Sequence, residues 1–410
     1  ARRKRIFSFD KQRTADGGPV VGIPAALHLF DEMPLWQKFF DLLNIKTVTS
    51  ETCKNAVKDG KGMAGAEFCA PMSGLHGHVR HLLGRADYVF LPDYMEITQN
   101  DRNIKRNYCY YTQYAPQVVA AVSDAADRKR IINPLVRSID NVFNMKVNLY
   151  KALASTGKIK ATFFQVSNAY DGALEFFESR SGFLKKMFID ETSGLDDIAV
   201  VFLGRPYSIM SKTMNNGIPD IFSRNGIKTF FQDMVPETDT ERIQELLDTI
   251  HWKYGSKILE AAESVGRMKG IYPVFVTSFK CTPDSYVIEL LKEIMERHDK
   301  PYLILQLDEH DSSVGYETRI EAGIRAFRNH RSSAAGNGSG RKVPEQAIWY
   351  RGKKSLQGKT LLFPNWDRVA CFLIEAMLRK EGIDARLVKE TPDSIKRSMS
   401  MNSGQCIPLS

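Results

Sequence analysis

The sequence predicts an α/β protein: two doubly wound parallel-sheet lobes joined by a helical layer, followed by the truncated start of a further α/β module. Three observations carry this. Short apolar runs that end at Pro, Gly or Cys alternate with longer stretches of helical periodicity, which is the pattern of a parallel sheet. That alternation stops near residue 141 and resumes near Asp197. It resumes again beyond a Gly/Ser-rich stretch ending near residue 358. The expected divisions are a first lobe over 1–140, a helical connection over 141–196, a second lobe over 197–331, a linker over 332–358 and the new module over 359–410.

In the first lobe, Asp16-Gly17-Gly18-Pro19 reads as a turn and Val20 to Ile23 as a strand ending at Pro24. Trp36, Phe39, Phe40 and Leu43 fall at helical spacing, with Pro34 marking a break or a fresh start. Ile45 to Val48 is a second strand. A Gly- and Lys-containing loop then delivers Cys69, and Ser73 is placed to cap a helix over about Gly74 to Leu83. Asp87 to Leu91 is a third strand ending at Pro92. A polar segment leads to Tyr108-Cys109-Tyr110-Tyr111, and Pro116 opens another helix.

The connection is largely helical, and its aromatic residues read as core and connection. In the second lobe, Ile198 to Leu203 is a strand, and Gly204-Arg205-Pro206-Tyr207 turns off its end. That turn either binds an anion or uses Arg205 to brace the sheet edge. Lys228 to Phe231 is the next strand, followed by one long amphipathic helix from about Thr240 to Met268. Tyr272 to Val276 is a strand leading to Cys281; a helix, the strand Tyr302 to Leu307 and a last helix complete the lobe. Asp308, Glu309 and His310 end that strand as candidates for acid–base work.

The tail repeats the opening. A strand, Pro364, Trp366, a helix and a strand precede Cys406-Ile407-Pro408-Leu409-Ser410, as a strand, Pro24, a Trp-bearing helix and a strand precede Cys69-Ala70-Pro71-Met72-Ser73. Matching order at near-matching spacing indicates duplicated modules. The second copy stops where the first begins its cysteine helix, so the chain is expected to be a piece of a longer polypeptide.

The chain has 410 residues, 43% hydrophobic and 26% charged, with no apolar run long enough for a membrane span and no signal-peptide core. It reads as cytoplasmic, with no membrane partner. A net charge of +9 favours anionic partners. No basic block with interleaved aromatics recurs, so nucleic acid is not expected. Six cysteines are too few and too scattered for a disulfide scaffold.

Cys69, Cys109 and Cys281 share a context: each follows a strand or its loop and lies just before a helix. Strand C-termini of a parallel sheet gather at one edge, where ligands bind. Three thiols meeting there suit an iron–sulfur cluster, with nearby helix N-termini lowering their pKa values. Three ligands leave one position open. The spacing matches no compact ferredoxin motif, so unconnected thiols remain the other reading. Cys53 and Cys371 read as structural, and Cys406 as part of the incomplete module. His76, His78 and His81 either pack behind the Cys69 loop or form a zinc site with it.

With these residues collected, the chain resembles the uncharacterised domain of large fused activases related to the 2-hydroxyacyl-CoA dehydratases and benzoyl-CoA reductases. The resemblance rests on Val21-Gly22-Ile23-Pro24, Cys69-x-Pro71 with His76-Gly77-His78, Gly204-Arg205-Pro206-Tyr207, Asn216-Gly217-Ile218-Pro219 and Ser278-Phe279-x-Cys281. It implies a 4Fe–4S or double-cubane iron–sulfur centre, with Cys69, Cys109 and Cys281 as metal and cofactor ligands. It also implies an ATP-hydrolysing activator as electron donor and an acyl-CoA as candidate substrate. No phosphate-binding ATPase signature lies in this sequence, so the activator is expected elsewhere. The alternative is a non-catalytic α/β module that binds a CoA-like or nucleotide anion.

Overall fold

The computed structural model describes residues 17–97, 106–136, 142–237, 239–307, 313–336, 358–363, 365, 367–388 and 391–393. The chain divides into two compact units, Ala1–Val343 and Pro344–Ser410. The first unit contains two four-stranded sheets, and every strand pair within each is parallel.

The first sheet is built from β1 (Val20–Ile23), β2 (Lys46–Thr49), β3 (Tyr88–Phe90) and β4 (Ile131–Ile132), in the order β2-β1-β3-β4. Helix α1 (Leu27–Leu42) connects β1 to β2. It continues through Pro34, where a break or a fresh start was expected. Leu35, Trp36, Phe39 and Phe40 on either side of the helix's second half are buried, and full burial of one such side chain contributes about 1.5–3 kcal/mol. That outweighs the one backbone bond a proline removes. Helices α2 (Ala56–Met63) and α3 (Ala70–Leu83) follow β2. Their crossing is glycine-dependent: a Cβ on Gly60 would sit 1.7 Å from the Ser73 carbonyl oxygen, and one on Gly77 would sit 2.0 Å from that of Ala56. Helices α4 (Tyr110–Gln113) and α5 (Ala115–Val122) lie between β3 and β4.

Helices α6 (Val142–Ala154) and α7 (Phe163–Thr192) form the connection, α7 opening on a Thr162/Gln165 capping box. α7 packs against α1 of the first lobe, and its C-terminal end, with Leu184 and Phe188, joins the core of the second. Phe143 and Phe164, expected in a core, stay exposed.

The second sheet comprises β5 (Ala199–Gly204), β6 (Lys228–Phe231), β7 (Ile271–Ser278) and β8 (Leu303–Leu307), in the order β6-β5-β7-β8. Its connections carry α8 (Pro206–Met210), α9 (Ile218–Arg224), α10 (Lys253–Arg267), α11 (Thr282–Arg297) and α12 (Ser313–Gly336). Separate apolar clusters fill the two faces of this sheet, one with α10 and α11 and the other with α9 and α12. The lobe is therefore doubly wound, as is its strand order. Helix α12 extends to Gly336, into the stretch expected as linker.

The expected helix over 240–268 is two helices. A short one, Gln244–Asp248, stops, and α10 restarts at Lys253. The intervening residues reach the first lobe: the His251 carbonyl accepts from the Asn107 N–H at 2.7 Å, and Asn107 bridges Trp252.

In the second unit, β9 (Thr360–Phe363) pairs in parallel with β10 (Asp384–Leu387), and α13 (Arg368–Lys380) connects them. The Asp367 carboxylate caps α13 by accepting from the Val369 and Ala370 N–H groups. Cys371 is buried within this unit. Pro364, Trp366 and Cys406 lie outside the described residues, as do Asp308, Glu309 and His310.

Candidate functional site

Each of the three cysteines is the residue immediately before a helix, with extended backbone: Cys69 before α3, Cys109 before α4 and Cys281 before α11. Prolines in the first turn of α3 and α11 set that geometry. The helix after Cys69 thus starts at Ala70, and Ser73 is a buried residue inside it and not its cap. Carbonyls of all three cysteines accept first-turn N–H groups.

Side chains draw the three loops together. Lys280 Nζ, beside Cys281, lies 3.4 Å from the Glu67 carboxylate, two residues before Cys69. Phe68 meets Tyr111 edge to face at 5.3 Å, linking the Cys69 and Cys109 loops. Cys69 lies within electrostatic reach of both Cys109 and Cys281. The guanidinium of Arg205 reaches all three. All three thiols are half-buried. Cys53 is buried beside α2 and Cys371 lies in the other unit; neither belongs to this crevice.

Arg205 projects from the end of β5 because Gly204 lets the chain turn there. Gly204 has φ +146°, and a Cβ on it would sit 2.3 Å from the Val276 carbonyl oxygen. Arg205 Nε donates to Asp284 Oδ1 at 2.8 Å, and Thr277 Oγ1 donates to the other carboxylate oxygen at 2.7 Å. Arg205 and Asp284 are both buried. Burial opposes the Arg205 charge, but Asp284, Cys281, Tyr207 and Cys109 hold its pKa above the usual range. Its Nη2 is buried without a hydrogen-bond partner. The Gly-Arg-Pro-Tyr turn is therefore a brace, and it also sets a fixed cation beside the thiols.

The thiol pKa values differ from the expectation. Burial pushes Cys69 up to about 11, against the Met72 N–H, which favours the thiolate. Burial also pushes Cys281 up, against Arg205. Desolvation outweighs the helix N-termini here. Both groups are neutral thiols near pH 7.

The histidines after Cys69 mostly pack. His76 and His78 are buried, His76 stacks on Phe68 at 5.8 Å, and the more exposed His81 contacts Arg85. Among the described residues, no group of three or more His, Cys, Asp or Glu side chains is arranged to hold a metal ion. By residue type, the three cysteines at helix starts are the ligands an iron–sulfur cluster takes, and the buried Arg205 beside them has an Nη2 without a hydrogen-bond partner.

A buried polar network behind Cys109 was not legible in the sequence. Lys253 Nζ, at the start of α10, donates to the Tyr108 hydroxyl at 2.5 Å and lies 3.8 Å from Glu32. Tyr94 donates to the same Glu32, and Trp36 Nε1 donates to Tyr94 at 2.9 Å. Burial lowers the Lys253 pKa to about 8 and raises that of Glu32. Reading 240–268 as one uninterrupted helix hid Lys253; the signal available was Trp252-Lys253-Tyr254, a cation between two aromatics.

The family described as "CoA enzyme activase uncharacterised domain" matches residues 20–235, more than half of the chain. No curated protein matches the sequence. Among solved structures, a glucosamine-6-phosphate deaminase from Thermotoga maritima is similar at 12% identity, covering 82% of this chain and 91% of that one. Its TM-score of 0.20 is too low to carry an argument.

Proposed function

We propose a function from this premise: the chain belongs to the family of the CoA enzyme activase uncharacterised domain. Its first compact unit holds an iron–sulfur cluster, of 4Fe–4S or double-cubane type, on Cys69, Cys109 and Cys281. It works as an electron-transfer or reductase module related to the 2-hydroxyacyl-CoA dehydratases and benzoyl-CoA reductases. The observation that supports the reading is that the buried Arg205 lies within electrostatic reach of three cysteines drawn from both lobes.

When bound, such a cluster supplies one-electron transfer. The residues of this chain do the rest. The three thiols are the ligands, and loading displaces their protons. The first-turn N–H groups of α3 and α11, with the Arg205 charge, offset the negative charge of thiolate ligands. Asp284 and Thr277 hold Arg205 in place. The electrons come from an ATP-hydrolysing activator outside this sequence and go on to an acyl-CoA or another poorly reducible acceptor. Among the described residues no helix is long and apolar enough to cross a membrane.

Anaerobic reconstitution followed by iron and sulfide analysis and EPR tests this. The wild-type chain takes up iron and sulfide and gives a cluster signal on reduction. Cys69→Ala, Cys109→Ala and Cys281→Ala each lose it, while Cys371→Ala keeps it. A wild-type protein that takes up no iron, or full loading of all three variants, overturns the reading.

A further inference from the structure

The Arg205 guanidinium keeps one donor nitrogen unused among the described residues. Its Nε is committed to Asp284 Oδ1 at 2.8 Å, and its central carbon lies 5.7 Å from the centroid of the Tyr254 ring. These two contacts hold the group in place. Its Nη2 is buried and has no hydrogen-bond partner. A buried donor left unpaired on a charged group costs stability. Native structures keep such a donor where an acceptor arrives later, as water, ion or ligand.

Asp284 shows where that donor sits. It is the third residue after Cys281, in the first turn of α11. Its carboxylate takes Arg205, while its N–H bonds the Cys281 sulfur. One residue thus holds the guanidinium and a thiol at once. Cys69 and Cys109 lie within electrostatic reach of the same guanidinium. Each cysteine also meets a polar group of its own three residues on. The Met72 N–H serves Cys69, Thr112 Oγ1 lies 3.3 Å from the Cys109 sulfur, and the Asp284 N–H serves Cys281. Arg205 differs from these because it comes from the end of β5, outside the three cysteine helices.

Arginine carries donors and no acceptor, and it keeps its charge at any working pH. It therefore cannot ligate iron. A neutral thiol is a weak acceptor for it, whereas an anionic sulfur makes a charge-assisted bond.

We propose that Arg205 donates from Nη2 to a sulfur of the bound cluster, and that this contact, with its fixed charge, sets the reduction potential of the centre. The inference rests on the cluster reading and adds to it the residue that tunes the centre. Net charge, hydrogen bonds to the sulfurs and solvent exposure are the means by which a protein sets such a potential. A cation favours the reduced, more negative state, so Arg205 raises the potential and Asp284 opposes it. Both side chains are buried, where charges are weakly screened.

Pulsed EPR on protein grown with arginine carrying a heavy nitrogen isotope, reconstituted anaerobically and reduced, tests the contact. The wild type shows a weak coupling from the labelled nitrogen to the reduced cluster, and Arg205→Lys loses it. Redox titration gives the second readout. Arg205→Gln shifts the midpoint to more negative potential and Asp284→Asn shifts it to more positive. Iron and sulfide content stay at the wild-type level in both, since neither residue is a ligand. A purely structural role does not move the midpoint in opposite directions. If Arg205→Gln does not fold, the Arg205→Lys coupling and the Asp284→Asn shift decide the matter. No coupling in the loaded wild type, or unchanged midpoints in the loaded variants, overturns the proposal and leaves a buried water as the Nη2 partner, with the cluster reading intact. A wild-type protein that takes up no iron overturns both.

Discussion

The two lobes of the first unit have the same strand order, second-first-third-fourth, yet they furnish their shared crevice differently. After the third strand the loops correspond: Cys109 in the first lobe, Cys281 in the second. After the second strand they diverge. The first lobe places Cys69 before its helix, and the second places Trp252 and Lys253 there. After the first strand, the first lobe buries His28, while the second buries Arg205. The lobes also handle buried polarity in opposite ways. The first hides neutral imidazoles: burial lowers His28 to about 3, with Lys253 adding to it, and lowers His78 to about 4. The second hides charge and pairs it, Arg205 with Asp284, while the Lys300 ammonium donates to the Val265, Met268 and Ile271 carbonyls. One topology thus fixes where loops arrive, and residue chemistry decides what each edge can hold.

The largest effect should come from breaking the second lobe's pair. Arg205→Met leaves Asp284 buried without its partner and should cost about 3–5 kcal/mol in denaturant unfolding. Adding Asp284→Leu should recover much of that loss, since a missing pair is cheaper than half of one. Additive losses would mean that the two side chains are not coupled.

Next is the first lobe's helix crossing. Gly77→Ala drives a Cβ against the Ala56 carbonyl and should cost about 1–3 kcal/mol. Thermal unfolding of Gly77→Ala at wild-type stability would show that α2 and α3 separate freely.

Acid should act through the first lobe's histidines. Unfolded His28 takes up a proton near its ordinary pKa, but folded His28 does so only near 3. Between those values the unfolded state binds more protons, so stability falls as pH is lowered, by up to about 1.4 kcal/mol per pH unit. Above the ordinary pKa His28 contributes no slope. His28→Phe, which can keep the tilted ring contact with Tyr94, should flatten the curve between about pH 6.5 and 4.5. An unchanged slope would exonerate His28.

The smallest effect sharpens the comparison with Gly77. Gly62 lies in the same α2 helix with nothing within 4 Å of where its Cβ would be. Gly62→Ala should stabilise by about 0.4–1 kcal/mol, read as a small rise in melting temperature. Destabilisation would mean that the outer face of α2 is also packed.

Much of the fold was legible because its signals are local. Val20 to Ile23, Lys228 to Phe231 and Tyr302 to Leu307 announce strands within a few residues, and Pro24 stops the first. The cysteines could be placed before helices for the same reason. The misreadings were failures of local rules against distant contacts. Pro34 did not break α1, because buried side chains on both sides, Leu29 and Met33 before it and Trp36, Phe39 and Phe40 after it, held it. Ser73 did not cap α3, because Pro71 had already started the helix. The 240–268 helix broke where its backbone joins Asn107 of the other lobe.

By itself the sequence determined which segments are strands, where helices begin, and that three cysteines occupy helix starts. These follow from backbone preference and side-chain periodicity over short windows. Only the tertiary structure decided that those three cysteines come within electrostatic reach of one buried guanidinium, Arg205, and that Arg205 is clamped by Asp284. Those juxtapositions join residues tens to hundreds of positions apart, and they arise from the packing of two sheets, which no short window of sequence encodes.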